Sequence, residues 1–189
     1  MEFKRPIILA STSPRRQFLM KEAGFEFRIE KPGEDESFDQ DMLPEKVPMF
    51  LAAKKANSLK DILRKNEIIV ASDTVVILEN RIMNKPADRA EAIQMLSNLS
   101  GQTHTVITAV CLLSKDKMDL FDDRTEVTFA DLSNTEIEFY IDHYKPFDKA
   151  GAYGAQDWLG MVGIEKINGS YFTVMGLPMH KVYQHLMKF

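Results

Sequence analysis

The segment Ile68–Leu78, Ile-Ile-Val-Ala-Ser-Asp-Thr-Val-Val-Ile-Leu, constrains the fold more than any other part of the sequence. It is apolar at both odd and even positions and rich in β-branched residues. It therefore predicts a strand buried on both faces, as in a sheet covered by helices, rather than a preferred helix. Asp73 breaks the pattern. A carboxylate inside a buried strand is costly unless it is paired or binds a cation. Four compensations are open: a divalent metal ion, a lysine such as Lys85, a water that Asp73 activates as general base, or backbone N–H groups around a purely structural aspartate.

The flanking sequence supplies the rest of an α/β pattern. Residues 7–10 form a short apolar strand, and residues 15–23 a helix with Phe18, Leu19 and Ala23 at helical spacing, ended by Gly24. Residues 25–30 read as a second strand, followed by an acidic loop through Gly33, Glu34, Asp35, Glu36, Ser37, Phe38 and Asp39. A helix is predicted over 47–63, its pattern beginning at Phe50, Leu51, Ala53 and Lys54 and extended on the polar side by Asn57 and Lys60. Asp88 with Glu91 makes a capping-box-like start to a helix over 88–99, with Gly101 just past its end.

Residues 103–113 and 118–129 read as two strands paired in a hairpin across Ser114-Lys115-Asp116-Lys117. Ser133 and Glu136 form a second capping box, opening a helix whose Ile137, Tyr140, Ile141 and Tyr144 share one face. Residues 151–169 are glycine-rich and predict loop and short strand, and residues 178–187 a closing helix. With 189 residues, no internal repeat and no separating linker, the chain is read as a single domain over 1–189, with room for two lobes.

At the end of the first strand stands Ser11-Thr12-Ser13-Pro14-Arg15-Arg16. Ser13 suits an N-cap and Pro14 the first helical position, so Arg15 and Arg16 fall in the first turn, where the helix macrodipole disfavours cations. A bound anion reverses that penalty. The first-turn N–H groups, the hydroxyls of Ser11 and Ser13 and the two guanidinium groups would together make a phosphate cradle. The alternative is a surface arginine pair facing carboxylates such as Glu34 or Asp35. Lys55, within a helix, and Lys85, held extended by Pro86, are further phosphate contacts. Glu34, Asp35 and Glu36 carry the hard oxygens that Mg²⁺ or Mn²⁺ prefers, although an acidic loop is often only solvated.

Other features bound the function. A net charge of −4 argues against a partner that is a nucleic-acid polymer, while leaving a small anionic substrate open. The single cysteine, Cys111, lies in an apolar run, reads as a small buried hydrophobe and suits a reducing compartment. No apolar stretch approaches the roughly 18 residues needed to cross a bilayer, and the apolar run near the N-terminus is too short for a signal peptide, so a cytoplasmic protein without a membrane partner is expected. His104, His143, His180 and His185 lack metal-ligand spacing, and Trp158 is read as packing. There is no phosphate-binding Gly-x-x-x-x-Gly-Lys-Ser/Thr loop, no Gly-x-Gly-x-x-Gly, no His-Glu-x-x-His and no Gly-x-Ser-x-Gly. An aspartyl phosphatase would need a second aspartate where Val75 stands.

Several blocks, in order along nearly the whole chain, resemble the Maf proteins, a family of nucleotide pyrophosphatases. They are residues 9–16, Asp35-Glu36-Ser37, Ser72-Asp73-Thr74-Val75-Val76, Lys85-Pro86, residues 99–104, residues 148–154 with Gln156, and Gly169-Ser170-Tyr171 followed by Gly176-Leu177-Pro178. The resemblance implies a fold like that of inosine triphosphate pyrophosphatases: an elongated mixed β-sheet flanked by helices, with two lobes and a cleft. It further implies cleavage between the α- and β-phosphates with a divalent cation, Mg²⁺ or Mn²⁺. On this chain Asp73 would be catalytic; Ser11, Ser13, Arg15, Arg16, Lys55 and Lys85 would bind substrate; and Glu36 with Asp73 would hold the metal.

Arg15, Thr74 and Gln156 stand at positions that divide the family by substrate. They resemble the dTTP and UTP subgroup, whereas a subgroup acting on 7-methylguanosine triphosphate tends to carry Trp, Gln and Glu. A glutamine amide can pair with a pyrimidine's carbonyl and N–H edge. The chain departs from the family pattern at Asn84, and at Asp157-Trp158-Leu159, where a glycine-rich turn is more usual. The resemblance also carries a homodimer and a second role, a nucleotide-binding regulator of septum formation or cell division without turnover.

Overall fold

The computed structural model describes residues 3–33 and 36–189, and Glu34 and Asp35 of the acidic loop lie outside the described residues. The fold is mixed α/β: a seven-stranded sheet flanked by helices. Strands β1 (Ile7–Ala10), β2 (Phe27–Ile29), β3 (Ile68–Leu78), β5 (Thr103–Leu113), β6 (Met118–Phe129) and β7 (Ile164–Asn168) are bonded in the order β2-β1-β3-β5-β6-β7, with β4 (Arg81–Met83) paired to β3. β1 lies parallel to both β2 and β3, with Ile7 opposite Ile68 and Ala10 opposite Ala71. The short Asp-Lys turn between β5 and β6 closes on a bond from Ser114 N–H to the Lys117 carbonyl at 2.8 Å, and the two strands are sheet neighbours.

The helices are α1 (Pro14–Glu22), α2 (Val47–Asn57), α3 (Arg89–Leu99), α4 (Asn134–Tyr144), α5 (Trp158–Gly163), α6 (Tyr171–Val174) and α7 (Met179–Leu186). By contacts the chain divides into two compact units. The first comprises 1–73, 108–123 and 176–189, and the second 74–107 and 124–175. The core of the first unit gathers Ile8, Ala10, Ala52, Ala56, Ile69, Ala71, Ala109 and Cys111. That of the second gathers Val76, Leu96, Leu99, Phe129, Ile137, Tyr140, Tyr153 and Leu159.

Capping follows the sequence closely. Ser133 and Glu136 form a reciprocal capping box on α4, and the Asp88 carboxylate accepts from Glu91 N–H at 2.9 Å on α3. Glu91, however, reaches one residue further back than a capping box requires, accepting from Ala87 N–H at 2.6 Å. Gly24 and Gly101 follow α1 and α3 with φ of 79° and 66°, the left-handed geometry that favours glycine at a helix end.

Five sequence expectations need correction. Residues 151–169, read as loop and short strand, include the helix α5 ahead of β7, because Leu159 turns inward into the core of the second unit. The helix predicted over 47–63 stops at Asn57 and resumes only as a 3₁₀ turn, Lys60–Ile62. Asn57 Nδ2 donates to the Ala53 carbonyl and Ser58 Oγ to the Lys55 carbonyl, so side chains occupy acceptors in its last turn. The buried stripe of α2 is Val47, Pro48, Leu51, Ala52, Lys55 and Ala56, and Phe50 is exposed. On α1 the buried residues are Leu19 and Met20, with Phe18 exposed, because so short a helix covers the sheet with a narrow face. Tyr144 likewise stands exposed at the end of α4 while Ile137, Tyr140 and Ile141 are buried.

Candidate active site

In the first unit, strand β3 carries Asp73 into the interior, where it is 6% exposed. Its partner is Lys55, only 8% exposed, which arrives from the buried stripe of α2. Lys55 Nζ donates to Asp73 Oδ1 at 2.6 Å and to Glu36 Oε1 at 2.9 Å, so one ammonium joins two carboxylates. The segment carrying Glu36 is tied to the same helix, since Lys54 Nζ donates to both the carbonyl and the hydroxyl of Ser37 at 3.2 Å. Lys85, the lysine proposed from sequence as the compensating cation, is an exposed residue of the second unit, and Lys55 holds that place instead.

Parallel pairing of β1 with β3 sets the end of β1 beside the approach to Asp73. There the chain turns into α1 with Pro14 at its first position, Arg15 and Arg16 in the first turn and no acidic residue in that turn. Ser13 occupies the N-cap position without a side-chain capping bond, and its own N–H donates to Ser11 Oγ at 3.2 Å. Ser11 is buried. Arg16 Nε donates to the Gly176 carbonyl at 2.8 Å, and Ser72 Oγ reaches the same carbonyl at 3.5 Å. Gly176 therefore fixes Arg16 through its backbone, at a φ of 103° that side-chain-bearing residues rarely adopt.

The electrostatics follow from burial. Burial raises the Asp73 carboxyl above its usual value, although Lys55 and Arg16 both pull it down and Glu36 adds to the rise. Burial likewise lowers Arg16, with the charges of Asp73 and Glu36 opposing that shift and Arg15 adding to it. A guanidinium so shifted stays protonated. The result is a partly desolvated set of two carboxylates and basic side chains in which charge interactions are strong.

Among the described residues no three His, Cys, Asp or Glu side chains are grouped to cage a metal. Glu36 and Asp73 nevertheless converge on one cationic atom. That donor set fits Mg²⁺ or Mn²⁺ bound in the usual way for such ions, by one or two carboxylates with substrate phosphate oxygens and water completing the shell.

The second unit holds Thr74, Lys85 and Gln156. Gln156 stands before α5 in a tightly bonded loop. Its Nε2 donates to Asp157 Oδ1 at 2.9 Å, while Asp157 Oδ2 accepts from the Tyr140 hydroxyl at 2.8 Å. That hydroxyl in turn accepts from Gly154 N–H at 3.0 Å. Gln156 Oε1 is shielded and has no hydrogen-bond partner among the described residues, a state that costs about 1–3 kcal/mol. Nearby, His104 Nε2 lies 2.7 Å from the Tyr153 hydroxyl, and burial lowers the imidazole to about 4, so this histidine is neutral and structural. Trp158 packs against the core and edges onto Phe139. Cys111 is buried, its thiol pushed up to about 12.

Sequence reasoning missed Gly176 as an anchor for Arg16, Lys54 as the tether of Ser37 and Asp157 as the partner of Gln156. Lys55 had a readable signal, since its spacing from Val47, Pro48, Leu51 and Ala52 puts it inside an apolar helical stripe. The Gly176 contact is made by a backbone atom 160 residues from Arg16 and has no side-chain signature.

The sequence profile of the Maf-like proteins matches residues 6–189, and the chain belongs to that family. It is 45% identical over 181 residues to a dTTP/UTP pyrophosphatase of Bacteroides fragilis, covering 95% of this chain and 94% of that one. It is 46% identical to a dTTP/UTP pyrophosphatase of Flavobacterium psychrophilum, over 96% and 93% of the two chains. A dTTP/UTP pyrophosphatase of Phocaeicola vulgatus is 45% identical, over 98% and 96%. Among solved structures the chain is similar to the Staphylococcus aureus Ham1 protein, with a TM-score of 0.46 and 14% identity over 67% of this chain and 73% of that one.

Proposed function

We propose that this protein hydrolyses dTTP and UTP to the nucleoside monophosphate and pyrophosphate. The observation that carries the reading is the buried Lys55 bridge between Asp73 and Glu36, with Arg16 acting on the same carboxylates. Burying that much charge is expensive unless it serves a charged ligand. The family membership and the relatives' names supply the substrate class.

In this mechanism Ser11, Ser13, Arg15 and Arg16 bind phosphate oxygens at the start of α1, and Lys55 and Lys85 add positive charge. A Mg²⁺ or Mn²⁺ ion held by Glu36 and Asp73 would supply further neutralisation of the triphosphate. Water adds to the α-phosphorus as the bond to the bridging oxygen breaks, pyrophosphate leaves and the water's proton passes to a base. In this reading Asp73 acts as that base or as a ligand of the metal. Lys55 keeps its Oδ1 fixed. Arg15, Thr74 and Gln156 set the preference for the base.

Among the described residues no helix is long and apolar enough to cross a membrane. A reducing cytoplasm, where nucleotide pools are kept, suits the buried unpaired Cys111. The test is pyrophosphate release from a panel of standard and modified triphosphates, 7-methylguanosine triphosphate included, with and without Mg²⁺ or Mn²⁺. Release from dTTP and UTP that depends on the metal is expected. Release from no nucleotide under any metal would discard the hydrolase in favour of a nucleotide-binding regulator.

A further inference from the structure

The first unit holds a pocket that the proposed reaction does not use. Strands β1 and β3 run parallel, with Ser11 just past the end of β1 and Asp73 within β3. The pocket lies at the start of both strands, where Ile68 N–H donates to the Pro6 carbonyl at 3.0 Å. Its volume is about 700 Å³, within the range of small-ligand sites, and its lining includes Lys4, Arg5, Lys65, Asp116, Lys117 and Phe189, all of the first unit.

Four cationic side chains thus meet one acid, in a chain whose net charge is −4. Elsewhere in the molecule Arg28, Arg89 and Lys181 each meet a carboxylate. Among the described residues none of Lys4, Arg5, Lys65 and Lys117 is paired to a side-chain carboxylate, although Asp116 lines the same pocket. Counting a carboxylate on Phe189 against Arg5 still leaves three lysines to one aspartate. Like charges gathered in this way repel one another, and an anion placed among them reverses the sign.

Two of the cations are held in place. Arg5 Nε donates to the Asn66 carbonyl at 3.1 Å and Nη1 to the main-chain oxygen of Phe189 at 3.2 Å, which commits two of its five N–H groups and leaves three. The Arg5 guanidinium carbon lies 5.5 Å from the centre of the Phe189 ring and Lys117 Nζ 4.5 Å from it, so one ring carries both cations. The β5–β6 turn fixes the backbone of Lys117: its N–H donates to Ser114 Oγ at 3.2 Å and its carbonyl accepts from Ser114 N–H at 2.8 Å.

We propose that this pocket is a second anion site, separate from the cradle at the start of α1, and that it takes an oligophosphate: a chain of linked phosphates, free or carried as the tail of a nucleotide. Such a chain spreads its charge over several groups, which suits separate ammonium charges on Lys4, Lys65 and Lys117 together with the guanidinium fork of Arg5. A lone orthophosphate meets only part of that set. The inference does not depend on the hydrolysis assigned to Asp73.

The experiment follows the backbone amide resonances of the isotope-labelled protein during titration with inorganic tripolyphosphate, without metal, for the wild type and Lys65→Ala/Lys117→Ala, with thermal melting to confirm folding. In the wild type the amides of Asn66 and Asp116 should move together and saturate below about 1 mM. Those of residues 13–16 report binding at the cradle separately. The double variant should bind at the pocket about tenfold more weakly, the order expected for one charge-assisted hydrogen bond, with the cradle amides responding as before. Lys65→Ala alone, which keeps the contact of Lys117 with Phe189, gives the same test if the double variant melts early.

Shifts at Asn66 and Asp116 that grow without saturating, or an affinity that the variants leave unchanged, overturn the inference. So does equal affinity for an oligoglutamate peptide of matched charge, which marks a general polyanion surface. Orthophosphate binding as tightly as tripolyphosphate overturns it as well. UTP moving the pocket amides at the same concentrations supports a nucleotide's tail as the ligand, and tripolyphosphate moving them where UTP does not supports a free oligophosphate. A protein that saturates at the pocket but releases no pyrophosphate from any nucleotide removes the proposed activity and leaves this inference standing.

Discussion

Two aspartates of this molecule each lie within 2.7 Å of a basic nitrogen, and their carboxyl groups shift in opposite directions. Asp142, on the exposed face of α4, accepts from Arg89 at 2.7 and 2.9 Å, and Glu138 accepts from the same guanidinium at 2.9 Å. Those bonds lower the Asp142 carboxyl and raise Arg89. Asp73 has a lysine at 2.6 Å, yet its carboxyl is raised. The difference is solvent: the Arg89 network stands in water, while Asp73 and Lys55 have lost theirs and burial outweighs the partner. Close ion pairing alone therefore does not distinguish a working site from a surface decoration. A charge that stays buried at a cost marks a candidate site.

Removing Lys55 gives the largest stability effect expected from this contrast. Lys55→Ala would leave Asp73 buried without its partner and cost roughly 3–5 kcal/mol near neutral pH. With the lysine gone, the folded-state pKa of Asp73 rises still further above its unfolded value. The penalty is then absent at low pH, where the carboxyl is protonated in both states, and grows as pH rises from the unfolded toward the folded value. Thermal melts of wild type and variant from acid to neutral pH should converge at the acid end. Parallel curves would show that the pair is not coupled as described. Arg89→Ala is the opposite limit: despite three short bonds it should leave melting and pyrophosphate release nearly unchanged, because exposed ion pairs are screened. A large loss there would erase the distinction between the two regions.

The same contrast explains what could be read from the sequence. Asp73 was legible because a charge in a β-branched run contradicts its surroundings, and the caps at Ser133 and Asp88 because their chemistry is local. Which lysine meets Asp73 depends on the face of α2 that packs inward, and reading the stripe from Phe50 instead of Val47 hid Lys55 within it. The early end of α2 comes from local side-chain bonds of Asn57 and Ser58 that the apolar pattern does not show, and β4 from a two-residue turn at Glu79 and Asn80 that folds the chain back onto β3. The bond of Gln156 to Asp157 was invisible because Tyr140 holds Asp157 from another helix.

The central claim is that the buried Asp73–Lys55 pair, joined to the exposed Glu36, performs the hydrolysis, and replacing one atom of Asp73 tests it most directly. Asp73→Asn keeps the shape of the side chain and removes its charge and basicity. Pyrophosphate release from dTTP and UTP should fall by a factor on the order of 10² to 10⁴, the usual contribution of general-base catalysis, while the protein still melts cooperatively. An Asp73→Asn protein that releases pyrophosphate at the wild-type rate would contradict the account.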